Sequence, residues 1–226
     1  MTVSHASVPP DIGWNALIAE WAAGLFMAPL SAAAVTSYRD GLGATFLDIL
    51  GDERQCEAGA RWMQRALMME TSCTTVAGKL AATFTVMFDG VSGHRTVSLY
   101  ESAHVSASGR LFQSPVSDMH LLLRQADMSI DDTCHEPPDH LSIELALWAR
   151  LMRAGAGRHA QTAAVYHHLM AWVPRFADQC RDADDTGFYA GAAKVLTDFL
   201  AGQLGAFQAV SRGPLLRPMP DVQRPE

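Results

Sequence analysis

The chain has 226 residues, 49% of them hydrophobic, which is enough for one large or two small domains with a proper core. Its 24 acidic residues outnumber 17 basic ones, and the formal net charge is −7. This balance argues against a surface that follows nucleic-acid phosphates and suits a basic partner instead. We therefore expect no nucleic acid among its ligands.

Nothing in the sequence predicts export or membrane insertion. The N-terminus has neither the basic nor the apolar region of a secretory signal, and no stretch reaches the roughly 18 uninterrupted apolar residues of a membrane span. The richest apolar stretch, 16–34, is broken by Glu20 and Pro29. Four well-separated cysteines form no CxxC pair, which favours free, inert thiols in a reducing compartment. We expect a cytoplasmic protein with no stable membrane insertion.

Helical periodicity begins near the N-terminus. The first predicted helix, 15–27, repeats apolar residues every three or four positions and is stopped by Pro29. Further helices are predicted from near Ser31 and over 43–50 and 57–70. Tryptophans occur singly along the predicted helices, as core anchors do, at Trp14, Trp21, Trp62, Trp148 and Trp172.

The segment 71–88 is rich in β-branched residues, which are common in strands. Strict alternation of apolar and polar residues is absent, however. Its large apolar residues instead share one helical face, made of Val76, Leu80, Phe84, Met87 and Phe88. The pattern predicts a helix that ends at Asp89 and Gly90.

Residues 91–114 lack helical periodicity and contain Gly and Ser, so they are predicted to link an N-terminal helical half, 1–90, to a C-terminal half, 115–212. The C-terminal half has helical spacing over 115–127, 138–153, 160–181 and 186–210. The proline-rich tail, 213–226, is expected to be disordered. The predicted fold class is all-α, a bundle-like arrangement of two helical halves.

Aromatic and apolar residues inside the linker are candidates for recognition: Tyr100, His104, Leu111 and Phe112.

The most informative run is 136–141, Glu-Pro-Pro-Asp-His-Leu. Its prolines favour an extended approach followed by a helix start near Pro138, where Asp139 would cap the free N–H groups. An ordinary helix start explains this pattern. A cluster of acids beside His140 could equally hold a cationic peptide through charge-assisted hydrogen bonds, with Glu136 and His140 displayed. Composition does not choose between these two interpretations.

Catalytic and metal sites have little support. Histidines and one cysteine could supply metal ligands, but no HExxH or CxxC spacing is present among His135, His140, His167, His168 and Cys134. Hydrolase and nucleotide-binding motifs are also missing. We expect neither enzyme activity nor a metal. The alternatives are a nucleotide-binding or metal-dependent enzyme using Glu136, His140 and His167, and a general helical adaptor.

Four ordered segments resemble the TorD/DmsD family of redox-enzyme maturation chaperones, most closely its TorD branch. They are Trp21–Leu30 followed by Tyr38, Phe84–Gly90, Tyr100–Ser102 continuing to Leu111 and Phe112, and Glu136–Leu145. The last is similar to the family's E-P-x-D-H signature. The proline that usually precedes the linker tyrosine is missing. Trp172–Phe176 and Phe188–Tyr189 are similar to elements of the family's final helices.

The resemblance implies a chaperone that binds the twin-arginine signal peptide and the apo form of a molybdoenzyme, trimethylamine N-oxide or dimethyl sulfoxide reductase. It would assist cofactor insertion and prevent premature export. It also implies weak guanine-nucleotide binding, no resident cofactor, and a monomer or domain-swapped homodimer. The peptide-binding residues carried over from the motifs are Phe84, Phe88, Tyr100, Ser102, Glu136, Asp139 and His140.

Overall fold

The structure, a computed structural model, describes residues 12–53, 55–90, 93–105 and 114–205. Within these ranges the chain forms ten α-helices, two short 3₁₀ helices and no β-strand, which confirms the predicted all-α class. The helices are α1 (Ile12–Met27), α2 (Ala32–Asp40), α3 (Leu42–Asp52), α4 (Glu57–Leu67), α5 (Cys73–Phe88), α6 (Glu101–Val105), α7 (Ser114–Gln125), α8 (Leu141–Ala154), α9 (His159–Ala183) and α10 (Phe188–Gly202). The predicted tail over 213–226, together with Leu111 and Phe112, lies outside the described residues.

Several helix starts follow from local chemistry. The Oγ of Ser31 accepts a hydrogen bond from the Ala34 amide at 3.2 Å, which caps α2 and agrees with the helix start predicted near Ser31. Ser72 caps α5 in the same way through the Thr75 amide. The predicted helix over 71–88 is therefore confirmed, with its β-branched residues accommodated in α5.

The predicted end of α4 at residue 70 is wrong, because the helix stops at Leu67. The Arg39 guanidinium bonds the carbonyl oxygens of Leu67, Glu70 and Thr71. These carbonyl oxygens accept hydrogen bonds from Arg39 in place of helical amides. The chain can therefore leave the helix after Leu67 without leaving these acceptors unpaired.

α8 is the central helix. α1 packs along it, α9 contacts both α8 and α10, and α4 packs against α10. Trp148 and Trp172 are fully buried as predicted, whereas Trp14, Trp21 and Trp62 are only partly buried. Elements from before and after the predicted linker thus share one hydrophobic core.

Helices α4 and α10 cross closely at a pair of glycines. A Cβ built on Gly191 would lie 2.7 Å from the Gly59 carbonyl oxygen, and one built on Gly59 would lie 2.6 Å from the Gly191 carbonyl oxygen. The two glycines face each other, so the backbones touch where any side chain would separate them.

The predicted linker contains more structure than its composition indicated. It carries a 3₁₀ helix, Gly93–Arg95, and the short helix α6. Val97 and Leu99 are buried, and the Val97 amide donates to the Met87 carbonyl oxygen at 2.7 Å. This segment is fixed against the end of α5, and it presents α6 to the start of α8.

Candidate functional site

The run 136–141 lies against residues 99–101 through an isolated antiparallel bridge between Tyr100 and His140. The Glu101 amide donates to the Asp139 carbonyl oxygen at 3.0 Å, and the Leu141 amide donates to the Leu99 carbonyl oxygen at 2.8 Å. Two motifs that are far apart in sequence therefore form one site at the start of α8.

Asp139 is the buried centre of this site and is 1% exposed. Its Oδ2 accepts hydrogen bonds from the Ser102 amide at 3.1 Å and from the Ser102 hydroxyl at 2.5 Å. Its Oδ1 has no hydrogen-bond partner within the part of the chain that the structure describes. Asp139 thus joins the two motifs, and one of its carboxylate oxygens is left buried without a hydrogen bond.

The predictions that Asp139 caps α8 and that the helix starts near Pro138 are wrong. α8 begins at Leu141, and its N-cap is His140, whose Nδ1 accepts from the Ser142 amide at 3.2 Å. The physical reason is that Ser102 offers Asp139 two donors, so the aspartate side chain turns away from its own helix.

His140 is buried, at 3% exposure, so the expectation that it is displayed is also wrong. The pKa of the imidazole is lowered, because the effect of burial exceeds the opposing effect of the Glu136 and Asp139 carboxylates. The ring is neutral with Nδ1 as acceptor, and it packs edge-on against Tyr100 at 5.3 Å between ring centroids. The buried His140 ring supports Tyr100 and so helps to position the site.

The half-buried pair Tyr100 and Glu136 forms the outer part of the site. The Tyr100 hydroxyl donates to Glu136 Oε2 at 2.7 Å. Burial raises the pKa of Tyr100, and the adjacent Glu136 carboxylate raises it further, so the phenol keeps its proton and continues to donate. The Glu136 carboxylate is thereby oriented at the surface above buried Asp139.

Behind this surface lies a buried acid–histidine cluster that the sequence analysis missed. Glu101 is 3% exposed, and both of its carboxylate oxygens lie 2.9 Å from His168 Nδ1. The hydrogen bond to Glu101 raises the pKa of His168 despite partial burial of the ring. His168 had been considered as a metal ligand, and the structure instead pairs it with α6.

Glu144 completes the cluster and is fully buried on α8. Its Oε2 accepts from the Trp172 indole at 3.2 Å, whereas Oε1 meets no hydrogen-bond donor among the described residues. Burial raises the pKa of Glu144 well above its ordinary value, and repulsion by the Glu101 carboxylate adds to this. The raised pKa favours the protonated form of Glu144 beside the Glu101 carboxylate.

This buried proton gives a test by pH. Glu144→Gln replaces the carboxyl with an amide that does not titrate, so we expect the stability of the wild type, relative to the variant, to fall as pH rises above 4.5. The sign follows because the folded carboxyl retains a proton that the unfolded chain releases, at up to about 1.4 kcal/mol per pH unit. Urea denaturation of both proteins between about pH 5 and pH 8 measures the difference.

Exposed Asp132 provides the control, because Asp132→Asn removes the same charge where no burial acts on it. Its stability difference from the wild type should stay flat over this range. A difference that is equally flat for Glu144→Gln would show that Glu144 is ionised in the folded protein.

His104 attaches the rest of α6 to α9. Its Nε2 lies 2.8 Å from the Ser98 carbonyl oxygen, and its ring stacks on Trp172 at 4.9 Å. The Arg175 guanidinium donates to the His104 carbonyl oxygen at 3.2 Å. The segment 98–105 is therefore fixed along its length.

The two predicted phenylalanines lie deeper. Phe84 is buried and Phe88 is half-buried, and their rings are 5.0 Å apart. Phe88 stacks on Phe176 at 6.2 Å, and Phe176 contacts the His104 ring edge-on at 6.2 Å. Phe88 is thus connected to the site through an aromatic cluster, whereas Phe84 supports that cluster from the core.

Within the described residues, no group of three or more His, Cys, Asp or Glu side chains is arranged to hold a metal ion. The four cysteines are free, and burial raises the pKa of Cys56 to about 12. Over the same ranges, no helix has the length and apolarity needed to cross a bilayer.

The fold defines a class, an all-helical protein, and its best-defined polar cluster is the acidic and aromatic one at the start of α8. The chain belongs to the nitrate reductase delta subunit family, whose model matches residues 53–178, and within it to the TorD chaperones. The predicted membership of the TorD branch and the predicted role as a molybdoenzyme maturation chaperone are confirmed at the level of the family.

Three relatives illustrate the similarity, and each is named "Chaperone protein TorD". The relative from Aeromonas salmonicida is 32% identical over 192 residues, covering 80% of this chain and 85% of its own. That from Vibrio cholerae is 27% identical over 190 residues, covering 80% and 86%. That from Vibrio parahaemolyticus is 26% identical over 189 residues, covering 79% and 87%.

Proposed function

We propose that the chain is a cytoplasmic chaperone that binds the twin-arginine signal peptide and the apo form of a molybdoenzyme, a trimethylamine N-oxide or dimethyl sulfoxide reductase. It assists insertion of the molybdenum cofactor and delays export until insertion is complete. It acts by binding, without catalysis and without a resident cofactor. The support is the family membership together with the chemistry of the site.

The observation that carries this proposal is the arrangement of two carboxylates at different depths. Glu136 is half-buried and oriented by Tyr100, and Asp139 lies beneath with its buried Oδ1 unpaired among the described residues. A guanidinium presents several N–H donors in one plane and pairs strongly with carboxylates in such surroundings. An arginine of the signal meets Glu136, while buried Asp139 adds its negative charge from beneath.

The remaining predicted residues have supporting roles in this proposal. The Tyr100 and Phe88 rings offer apolar surface to the segment that follows the arginines. Ser102, His140 and Phe84 are buried, so they hold the binding groups in place without contacting the peptide.

Calorimetric titration with the client's signal peptide tests this function. Glu136→Gln should weaken binding by about tenfold or more, because a hydrogen bond to a charged group is worth about 1.5–3 kcal/mol. Tyr100→Phe should have a smaller effect in the same direction, since it removes only the group that orients Glu136. A signal peptide with both arginines replaced by glutamine should bind no variant.

Glu57→Gln is the matched control, because it removes the same charge from the exposed surface of α4. It should bind the signal peptide as the wild type does. Unchanged affinity in a stably folded Glu136→Gln protein would contradict the assigned site. Absence of binding by the wild type would contradict the function itself.

A further inference from the structure

Asp89 is an exposed acidic residue at the end of α5, directly after Phe88. Its backbone N–H donates to the Thr85 carbonyl oxygen at 3.2 Å, which ends the helix. The Asp89 side chain takes part in no ion pair or hydrogen bond within the part of the chain that the structure describes. Contacts inside this part of the chain therefore leave its negative charge uncompensated.

The backbone brings the end of α5 beside the binding site. The Val97 amide donates to the Met87 carbonyl oxygen at 2.7 Å, so the segment that leads to Tyr100 starts against the last turn of α5. At its other end this segment is joined to the start of α8 through the bridge between Tyr100 and His140. The end of α5, which carries Asp89, and the start of α8 therefore meet around Tyr100.

The Tyr100 phenol indicates that the Asp89 carboxylate lies near it. Burial raises the pKa of Tyr100 most, the hydrogen-bonded Glu136 carboxylate raises it further, and the Asp139 and Asp89 carboxylates add to the same effect. Because salt screens exposed charges separated by more than about 8 Å, an exposed carboxylate must be close to the phenol to act on it. No basic side chain of the described residues is among the groups that shift this pKa. Three carboxylates thus surround Tyr100 without a neutralising cation.

The three carboxylates differ in their access to a ligand. Asp139 is 1% exposed, and its Oδ1 has no hydrogen-bond partner among the described residues. Its buried charge favours a cation above it, but the side chain cannot reach a ligand at the surface. Glu136 is half-buried and Asp89 is exposed, so both can contact a bound molecule.

We propose that Asp89 is a second cation-binding residue of this site, where it pairs with one basic side chain of the bound polypeptide while Glu136 pairs with another. The inference rests on the proposed function and gives the second arginine of the signal its own partner. Successive side chains of an extended peptide point in opposite directions, so two adjacent arginines reach different partners. Two surface carboxylates meet this requirement, whereas Glu136 alone would hold one arginine.

Calorimetric titration with three synthetic peptides tests the assignment. The peptides share one apolar segment, and the two residues before it are Arg-Arg, Gln-Arg or Arg-Gln. For the Arg-Arg peptide, Asp89→Asn should weaken binding about three- to fivefold, near the upper limit for an exposed ion pair. Asp89→Glu keeps the charge and should retain the wild-type affinity. With one single-arginine peptide Asp89→Asn should have no effect, and with the other Glu136→Gln should have none, because each peptide lacks one of the two arginines.

Asp52→Asn is the matched control, because Asp52 is an exposed aspartate at the end of α3, which packs against α2 and α4. It should bind all three peptides as the wild type does. The assignment is overturned if Asp89→Asn binds the Arg-Arg peptide as this control does, or if it weakens both single-arginine peptides equally. Weaker binding by Glu136→Gln would leave the proposed function standing in either case. Failure of the wild type to bind the Arg-Arg peptide would overturn the proposed function together with this inference.

Discussion

Replacing Gly191 with alanine is expected to lower the free energy of unfolding by about 3 kcal/mol. The added Cβ would lie 2.7 Å from the Gly59 carbonyl oxygen and 3.0 Å from the Met63 amide nitrogen. Both are backbone atoms, which cannot move aside as a flexible side chain could. Helices α4 and α10 must therefore separate, and the contacts around their crossing are lost. Urea denaturation of the two proteins measures the effect.

Gly24→Ala is the matched control, since Gly24 lies inside α1 and its added Cβ meets no atom within 4 Å. Alanine favours helix over glycine, so this variant should be more stable than the wild type by about 0.5–1 kcal/mol. The same substitution therefore acts in opposite directions at two helical positions. Equal effects at both would show that helix propensity, and not the close crossing, decides the outcome at Gly191.

The second large effect is expected at the buried pair Glu101 and His168. Glu101→Ala should cost about 3 kcal/mol, because His168 loses its partner at a largely buried site. A double-mutant cycle with His168→Ala should give a coupling energy of about 2 kcal/mol near pH 6.

This coupling should decrease as pH rises. The pKa of His168 is raised in the folded protein, so the charged pair contributes fully below the ordinary histidine value of 6.5 and weakens as pH passes the raised pKa. A neutral imidazole N–H still donates to Glu101, so part of the coupling should remain at high pH.

The exposed pair Asp178 and Arg181 provides the comparison for this cycle, with exposed fractions of 64% and 56%. Its coupling energy should be below about 0.5 kcal/mol. If the Glu101–His168 coupling is no larger than this, then the other contacts, the Arg175 hydrogen bond and the His104–Trp172 stack among them, hold α6 against α9.

Local sequence chemistry was sufficient to predict most helices. The apolar face of α5 outweighed its β-branched residues, and Pro29 with Ser31 marked the turn between α1 and α2. Predictions were wrong where a distant side chain changed the local outcome. Arg39 of α2 donates to carbonyl oxygens at the end of α4 and so stabilises its early stop. Ser102 donates to the Asp139 carboxylate, which would otherwise have capped α8.

The candidate site was predictable in its motifs but not in its depth. Sequence spacing identified the run 136–141 and Tyr100, and the structure brings them together. It could not show that Asp139 and His140 are buried, because burial depends on segments far away in sequence. The sequence did contain one indication of Glu144, because this acidic residue stands between two apolar residues, Ile143 and Leu145. All three side chains are buried in the structure.

The order in which the chain is synthesised has a consequence for when this site can exist. Glu136 lies 36 residues after Tyr100, and His168 lies 67 residues after Glu101. Contacts that close such long loops form more slowly than single helices, and they require both segments to have left the ribosome. A nascent chain therefore acquires its helices before its binding site, and it becomes competent to hold a client only after α9 has been translated and packed.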